Sequence, residues 1–437
     1  MPGIDPSFPV VRFAERRLAN GLRIIVAPDH LAPVVAINVW YDVGSKHEPP
    51  GRTGFAHLFE HLMFQGSRHV GKAEHLAIVQ AAGGVVNGTT YFDRTNYFET
   101  LPSHRFELGL WLEADRMATL LDAVNQENLD NQRDVVKNEK RQSYDNRPYG
   151  SFYEHLLAAV MPPDHPYHHT PIGSTTDLDA ASIEDVRSFF RTYYAPDNAV
   201  LAIAGDVDPD EAFEAAQRLF EPIQPSPGIP PLGDLSLPSH IGHAVREEIP
   251  DRVPLVRVHF GYRTPPFGTP AFDALEVATQ IAAGGQGSRL YRRLVRELCI
   301  AQDVVLFMLP LVEGASVLAG WATVRPGSDA ATVEAAFRLE LERLASEPVT
   351  EDELMRARAL IESEELAAFG RVEEVADRLA MYATLFDRPG MVNEQLGRYL
   401  AVDAAAIHRV MSEVVRPDNV AVLTYVPAAG SEQEVAA

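Results

Sequence analysis

Three side chains able to hold or work with a metal fall inside one short apolar run, GFAHLFEHLMFQG, from Gly54 to Gly66: they are His57, Glu60 and His61. On an α-helix His57 and His61 stand one turn apart on the same face with Glu60 beside them, so two imidazoles and a carboxylate converge on one small volume. Two neutral imidazoles leave a divalent ion short of ligands. A carboxylate not needed for coordination can take a proton from a water that the ion polarises. The order is the reverse of the commoner H-E-x-x-H box. The flanking Leu58, Phe59, Leu62, Met63 and Phe64 predict a largely buried helix, in which two His and a Glu need a compensating partner. A pair of hydrogen-bonded core histidines is the plainer alternative.

A catalytic zinc usually takes three protein ligands and leaves a fourth position open, so a further donor must come from elsewhere in the chain. The candidate is Glu139. It lies in a helical stretch from Asn128 to Asn146 whose apolar side is marked by Leu129, Val135 and Val136, and it falls near that side. Spacing alone leaves the question open, because most helical Glu are solvated surface charges.

The elements that must position these residues follow from periodicity. LRIIVAP, VVAINVWYDVG, VPLVRVHFGYR and SVLAGWATV read as strands, while HRFELGLWLEADRMATLLDAV and DAATVEAAFRLELERLASE read as helices. Strands grouped with strands and helices with helices favour an α+β architecture with antiparallel-rich sheets over a strictly alternating parallel fold. A chain of 437 residues predicts two domains of about 200 residues each. The stretch EPIQPSPGIPPLGDLSLPSH has six prolines and no helical or strand period. It predicts an N-terminal domain over 1–222, a linker over 223–242 and a C-terminal domain over 243–437. A helix running into Pro-Asp-Asn and then a buried strand occurs in both halves, making Asn198 and Asn419 equivalent. Duplication of one unit explains this, and the metal box exists only in the first copy.

Thirty-eight Lys and Arg against 61 Asp and Glu give a net charge of −23, which argues against nucleic acid as a partner. The single cysteine, Cys299, excludes an internal disulfide and a thiolate metal cluster. No run of apolar residues is long enough to span a membrane, and MPGIDPSFPVVRF does not look like an export signal. The expectation is a cytoplasmic protein without a membrane partner; removal of an export signal before residue 1 would make it periplasmic instead.

Beyond the box, ANGLRIIVAPDHLAPVVAINVWYDVGSKHEPPGRTGFAHLFEHLMFQGS, RDVVKNEKRQ with NRPYG, HPYHHTPIGS and YYAPDNAVLAIAGDVDP resemble segments of the M16 peptidases, the family of insulin-degrading enzyme, pitrilysin and the mitochondrial processing peptidase. The resemblance implies that fold, hydrolysis of peptides by one zinc ion per chain, His57, His61 and Glu139 on the metal, and Glu60 as general base. It places Phe64 where relatives line the pocket after the scissile bond, although packing explains Phe64 equally well. It makes GGVVNGTTYFDRTNYFETLP two strands beside the metal, the first with an edge that substrate joins, with Asn87, Gly88 and Thr89 on it. Relatives usually carry Asn-Ala-Phe or similar there, so substrate preference does not transfer. Gln132 stands where several relatives have a second Glu, and it can tune the site by hydrogen bonding.

Members that work alone carry an Arg and a Tyr in the C-terminal half that contact substrate. In register those positions are Val295 and Gln302, and neither has the chemistry. The implication is a metal-bearing subunit of a two-chain peptidase whose related partner supplies the pair. A homodimer using Arg292 or Arg296 and a non-catalytic assembly subunit are the alternatives. His165, His168 and His169 lie in a proline-rich loop and are expected to pack there; His69, His75 and His104 sit near polar helix starts.

Overall fold

The computed structural model describes residues 9–428. Its first sheet contains β1 (Ala14–Arg17), β2 (Arg23–Pro28), β3 (Val34–Tyr41), β4 (Val85–Thr90), β5 (Thr95–Pro102) and β6 (Ala199–Gly205). They are ordered β1-β2-β6-β3-β5-β4, antiparallel throughout except for β2 beside β6. The second sheet contains β7 (Val245–Asp251), β8 (Arg257–Thr264), β9 (Ala301–Leu309), β10 (Ser316–Val324) and β11 (Ala421–Pro427). Its order is β7-β11-β8-β10-β9, again with one parallel pair, β7 beside β11. The chain therefore has the α+β class that its segregated periodicities require.

Every residue of β6 is buried, which in a pleated strand means that both faces are covered. The four helices that matter for the site are α1 (Phe55–Leu62), α2 (Glu74–Ala81), α3 (Phe106–Ala123) and α4 (Gln126–Lys140). No helix or strand occurs between residues 221 and 244, as six prolines there would dictate. Two compact units result, and neither is contiguous in sequence. One holds the described residues up to Glu139 with His169–Leu232 and Leu366–Glu394; the other holds Lys140–His168, Gly233–Glu365 and the described residues from Gln395. The first unit thus includes the helix Val372–Phe386 from late in the chain, packed on β3 and β6. The second includes the helix Phe152–Val160 from early in it, packed on β8 and β11.

Asn198 and Asn419 make the same bonds in their two units. Each side-chain amide donates to the carbonyl 5 residues before it and to another 156 residues before it, tying a helix end to the strand that runs beside the next one.

Candidate metal centre

Helix α1 buries Phe55, Ala56, Leu58, Phe59 and Leu62 and turns its remaining residues, His57, Glu60 and His61, to the other side. Its N-cap, Gly54, lies at φ 91° and has no side chain to cap the first turn. Glu48 does so from outside the helix. Its fully buried carboxylate accepts from Gly54 N (2.9 Å) and Ala56 N (2.8 Å), and His169 Nε2 lies 2.8 Å from it. Thr53 is held in turn by Asp177, whose Oδ2 accepts from its N (3.0 Å) and Oγ1 (2.6 Å). His169 therefore packs in its loop with a specific task that spacing did not reveal. His165 and His168 bond the carbonyls of Leu235 and Met161.

Helix α4 buries Asn128, Leu129, Gln132 and Val136, a stripe that Glu139 continues one turn on. Val135, expected on the apolar side, is exposed instead, because the stripe runs through Gln132 and not beside it. The long helix anticipated to Asn146 ends at Lys140 and widens into a π-helical turn over Arg141–Asp145.

The two helices bring three donors together. Glu139 Oε2 lies 3.3 Å from His61 Nε2 and 3.7 Å from His57 Nε2, and the His57 and His61 rings meet edge to face with centroids 4.9 Å apart. Ligands about 2.1 Å from a tetrahedral ion stand about 3.4 Å from one another, so the donor set fits zinc in spacing as well as in chemistry. Burial pushes the His57 pKa down, towards the neutral form that binds metal. For His61 burial is outweighed by the bond to Glu139 and the charges of Glu139 and Glu60, and its pKa rises. The buried Gln132 side chain adds to that rise.

Glu60 stands beside this set, its Oε2 accepting from Thr90 Oγ1 at 2.7 Å. Burial raises its pKa against the effect of that bond. Thr90 was not singled out in the sequence; its place at the end of β4 is the signal that could have found it. Gly88 lies directly over Glu60, since a Cβ there would come within 3.2 Å of Glu60 Cγ and 3.0 Å of the Tyr97 ring. A larger residue at that point would have to displace one of them. Asn87 is exposed, and Thr89 turns to Asn96, donating to its Oδ1 at 2.6 Å.

Strand β4 pairs only with β5 and ends the sheet. Its hairpin closes with Tyr91 N donating to Arg94 O at 2.8 Å, which makes those two a bonded pair. The alternation of an antiparallel ladder then points the main-chain groups of Val86, Gly88 and Thr90 away from β5, to the open edge.

Two family descriptions match the chain: "Insulinase (Peptidase family M16)" over residues 23–167 and "Peptidase M16 inactive domain" over residues 180–361. The chain belongs to the M16 peptidase family. Among its M16 relatives, the protein named zinc protease PqqE of Helicobacter pylori is 28% identical over 91% of this chain and 88% of its own length. A probable mitochondrial-processing peptidase subunit beta of Arabidopsis thaliana is 24% identical over 93% and 76%. A crystal structure of a protease from Helicobacter pylori superposes with a TM-score of 0.89 at 27% identity, covering 96% of this chain and all of that one. The cofactor of this M16 chain is accordingly zinc.

Other expected positions lie elsewhere. The Phe64 ring packs against His75 (5.8 Å), Tyr97 (5.9 Å) and the Arg116 guanidinium (5.2 Å). Val295 is half buried in the π-helical turn Tyr291–Glu297, and Gln302 is exposed on β9. Arg292 faces Glu297 at 3.7 Å, and Arg296 donates to Gln286 at 2.8 Å. His75 stands at the start of α2, as expected, and is buried there beside Glu99 (3.5 Å) and Glu113 (3.9 Å). Arg116 pairs with Glu113, so a divalent ion there would leave a surplus positive charge in a buried site; one proton balances the group. Among the described residues no helix is long and apolar enough to cross a membrane.

Proposed function

We propose that this chain is a zinc-dependent endopeptidase acting on peptides or unfolded polypeptides. The observation that carries the reading is the convergence of His57 Nε2, His61 Nε2 and Glu139 Oε2 beside Glu60 and beneath the open edge of β4. His57, His61 and Glu139 hold the metal. Bound zinc acts as a Lewis acid that polarises the scissile carbonyl and lowers the pKa of a water. Glu60 takes the proton from the attacking water and delivers it to the leaving amine, while Thr90 Oγ1 keeps one carboxylate oxygen in place. An extended substrate adds to β4 through the outward main-chain groups of Val86, Gly88 and Thr90, with Asn87 and Thr89 flanking it and Phe64 lining the approach. Main-chain pairing gives affinity with little demand on side chains. Gln132 orients His61.

The absence of an Arg and Tyr pair at Val295 and Gln302 supports a related M16 subunit as partner, supplying donors for the developing oxyanion. Duplicated halves over 1–222 and 243–437, joined by 223–242, belong to the same reading. Glu60→Gln tests the core of it. The variant should retain zinc and lose on the order of a thousandfold in peptide hydrolysis, assayed with and without the partner subunit. Undiminished hydrolysis would remove Glu60 from the mechanism, and full activity of the lone wild-type chain would remove the partner.

A further inference from the structure

An edge strand of six residues bonded on one side only is a poor template unless something fixes it, and here a chain of direct bonds does so. It begins on the helix Val372–Phe386. Asp377 Oδ1 accepts from three donors at once: Asn38 Nδ2 (3.0 Å), Trp40 Nε1 (2.9 Å) and Asn96 Nδ2 (3.1 Å). With its amide nitrogen committed to Asp377, Asn96 presents Oδ1 to the hairpin, where it accepts from Arg94 Nη1 (2.9 Å) and Thr89 Oγ1 (2.6 Å). Arg94 Nη1 also donates to Thr89 O at 2.8 Å, and its guanidinium lies 5.0 Å over the Trp40 ring. Thr90, the next residue, is the one that bonds Glu60. The amide orientation of Asn96 is therefore set by Asp377, 281 positions away in sequence, together with Asn38, whose Oδ1 accepts from the same Nδ2 at 3.1 Å.

We propose that Asp377, acting through Asn96 and Arg94, is a positioning residue that sets the docking strand β4 for an extended peptide substrate. The proposal rests on the reading of β4 as the substrate edge. It assigns to a helix from late in the chain a part in substrate binding at the first sheet. Its signature is a split between binding and turnover, because the network reaches the strand main chain at Thr89 while the zinc donors stand on α1 and α4.

Four proteins test it, each as the full chain: wild type, the variants Asp377→Ala and Arg94→Lys, and the rescue Asp377→Asn. Lys lacks the planar guanidinium that lies over Trp40 and holds Nη1 against Thr89 O and Asn96 Oδ1, so it perturbs the same network from the hairpin if the helix variant folds poorly. Both variants should raise KM for an extended peptide about tenfold with kcat within about twofold, and Asp377→Asn, which keeps Oδ1, should restore most of the loss. Backbone amides of residues 85–90 should exchange with solvent about tenfold faster in both variants, with zinc content unchanged. Unchanged exchange at 85–90, or a fall in kcat with KM intact, overturns the proposal. The exchange measurement needs no turnover, so it still decides the matter if the wild type proves unable to cleave peptides, the result that would instead overturn the peptidase reading.

Discussion

The two sheets have one topology and opposite chemistry. Strands β2-β6-β3-β5-β4 and β7-β11-β8-β10-β9 run in the same order with the same single parallel pair, and Asn198 and Asn419 lock the same junction in each. Between β3 and β4 the chain forms FAHLFEHL, with three ligand-type side chains on its open side. Between β8 and β9 it forms Pro270–Ala283, PAFDALEVATQIAA, with no histidine and most of its residues buried. The late helix of the first unit meets its sheet through Asp377 and three polar donors, whereas the early helix of the second presses Leu156 against Gly261, where a Cβ would come within 2.3 Å of it. The frame tolerates either solution, so function resides in the site placed on it.

The largest effect expected from breaking this contrast is at the metal. Glu139→Ala leaves two imidazoles and no carboxylate, making the first unit resemble the second; zinc affinity should fall on the order of a hundredfold or more, measured by chelator competition. Retention of stoichiometric zinc at wild-type affinity would show that Glu139 is a neighbour of the site and no ligand.

Next in size is the buried cluster behind Phe64. Glu99 is fully buried, neither of its oxygens has a hydrogen-bond partner among the described residues, and burial raises its pKa from 4.5 to about 7 despite Arg116. A carboxyl whose folded pKa exceeds its unfolded one contributes stability fully below pH 4.5, and that contribution is lost as pH rises through about 7. The shift corresponds to about 3 kcal/mol. Glu99→Gln should flatten the pH dependence of urea denaturation across that window and stabilise the protein at neutral pH. A slope identical to wild type would mean that another group holds the proton.

A smaller loss is expected from Glu48→Ala, which strips the cap from α1 and leaves Gly54 N, Ala56 N and His169 without their acceptor. The cost is about 1–2 kcal/mol in stability, with zinc bound about tenfold more weakly because the ligand helix frays at the His57 end. Zinc binding as tight as wild type in a destabilised chain would confine Glu48 to folding.

What was legible beforehand follows the range of the interactions. The box, the strands β2, β3, β8 and β10, and the Pro-Asp-Asn junctions leading into β6 and β11 are local patterns that the sequence carries openly, whereas β1, β7 and β9 were not read and β4 and β5 were placed by resemblance. Glu139 was a bland helical glutamate until family resemblance singled it out, because its meaning depends on α1, from which α2, β4, β5 and α3 separate it. Glu48, His169 and Asp377 gave no local signal and Thr90 only its place at the end of β4, since each acts on a partner brought near only by folding. Val135 was misplaced for a related reason: a buried Gln132 rotates the helix stripe away from the apolar residue that hydropathy favours.

The smallest predicted effect lies in the second unit and sharpens the contrast from the other side. His259 is buried on β8, both ring nitrogens lack hydrogen-bond partners among the described residues, and it sits among Phe152 (4.2 Å), Tyr425 (5.1 Å), Trp321 (5.8 Å) and Tyr149 (6.1 Å). Burial, aided by the Arg257 charge, lowers its pKa from 6.5 to about 3. The unfolded chain therefore takes up a proton near pH 6.5 that the folded chain refuses, so this group's stability is present above pH 6.5 and lost as pH falls towards 3. His259→Phe puts a ring without polar atoms into an aromatic site, and should stabilise the protein by about 1 kcal/mol at neutral pH and more in acid. Zinc content should be unchanged. In the first unit, a proposed zinc donor such as His57 that gives up its nitrogens should lose the metal, while here the same exchange should remove only a cost. Destabilisation of His259→Phe at neutral pH would show that the imidazole has a role the apolar cage conceals.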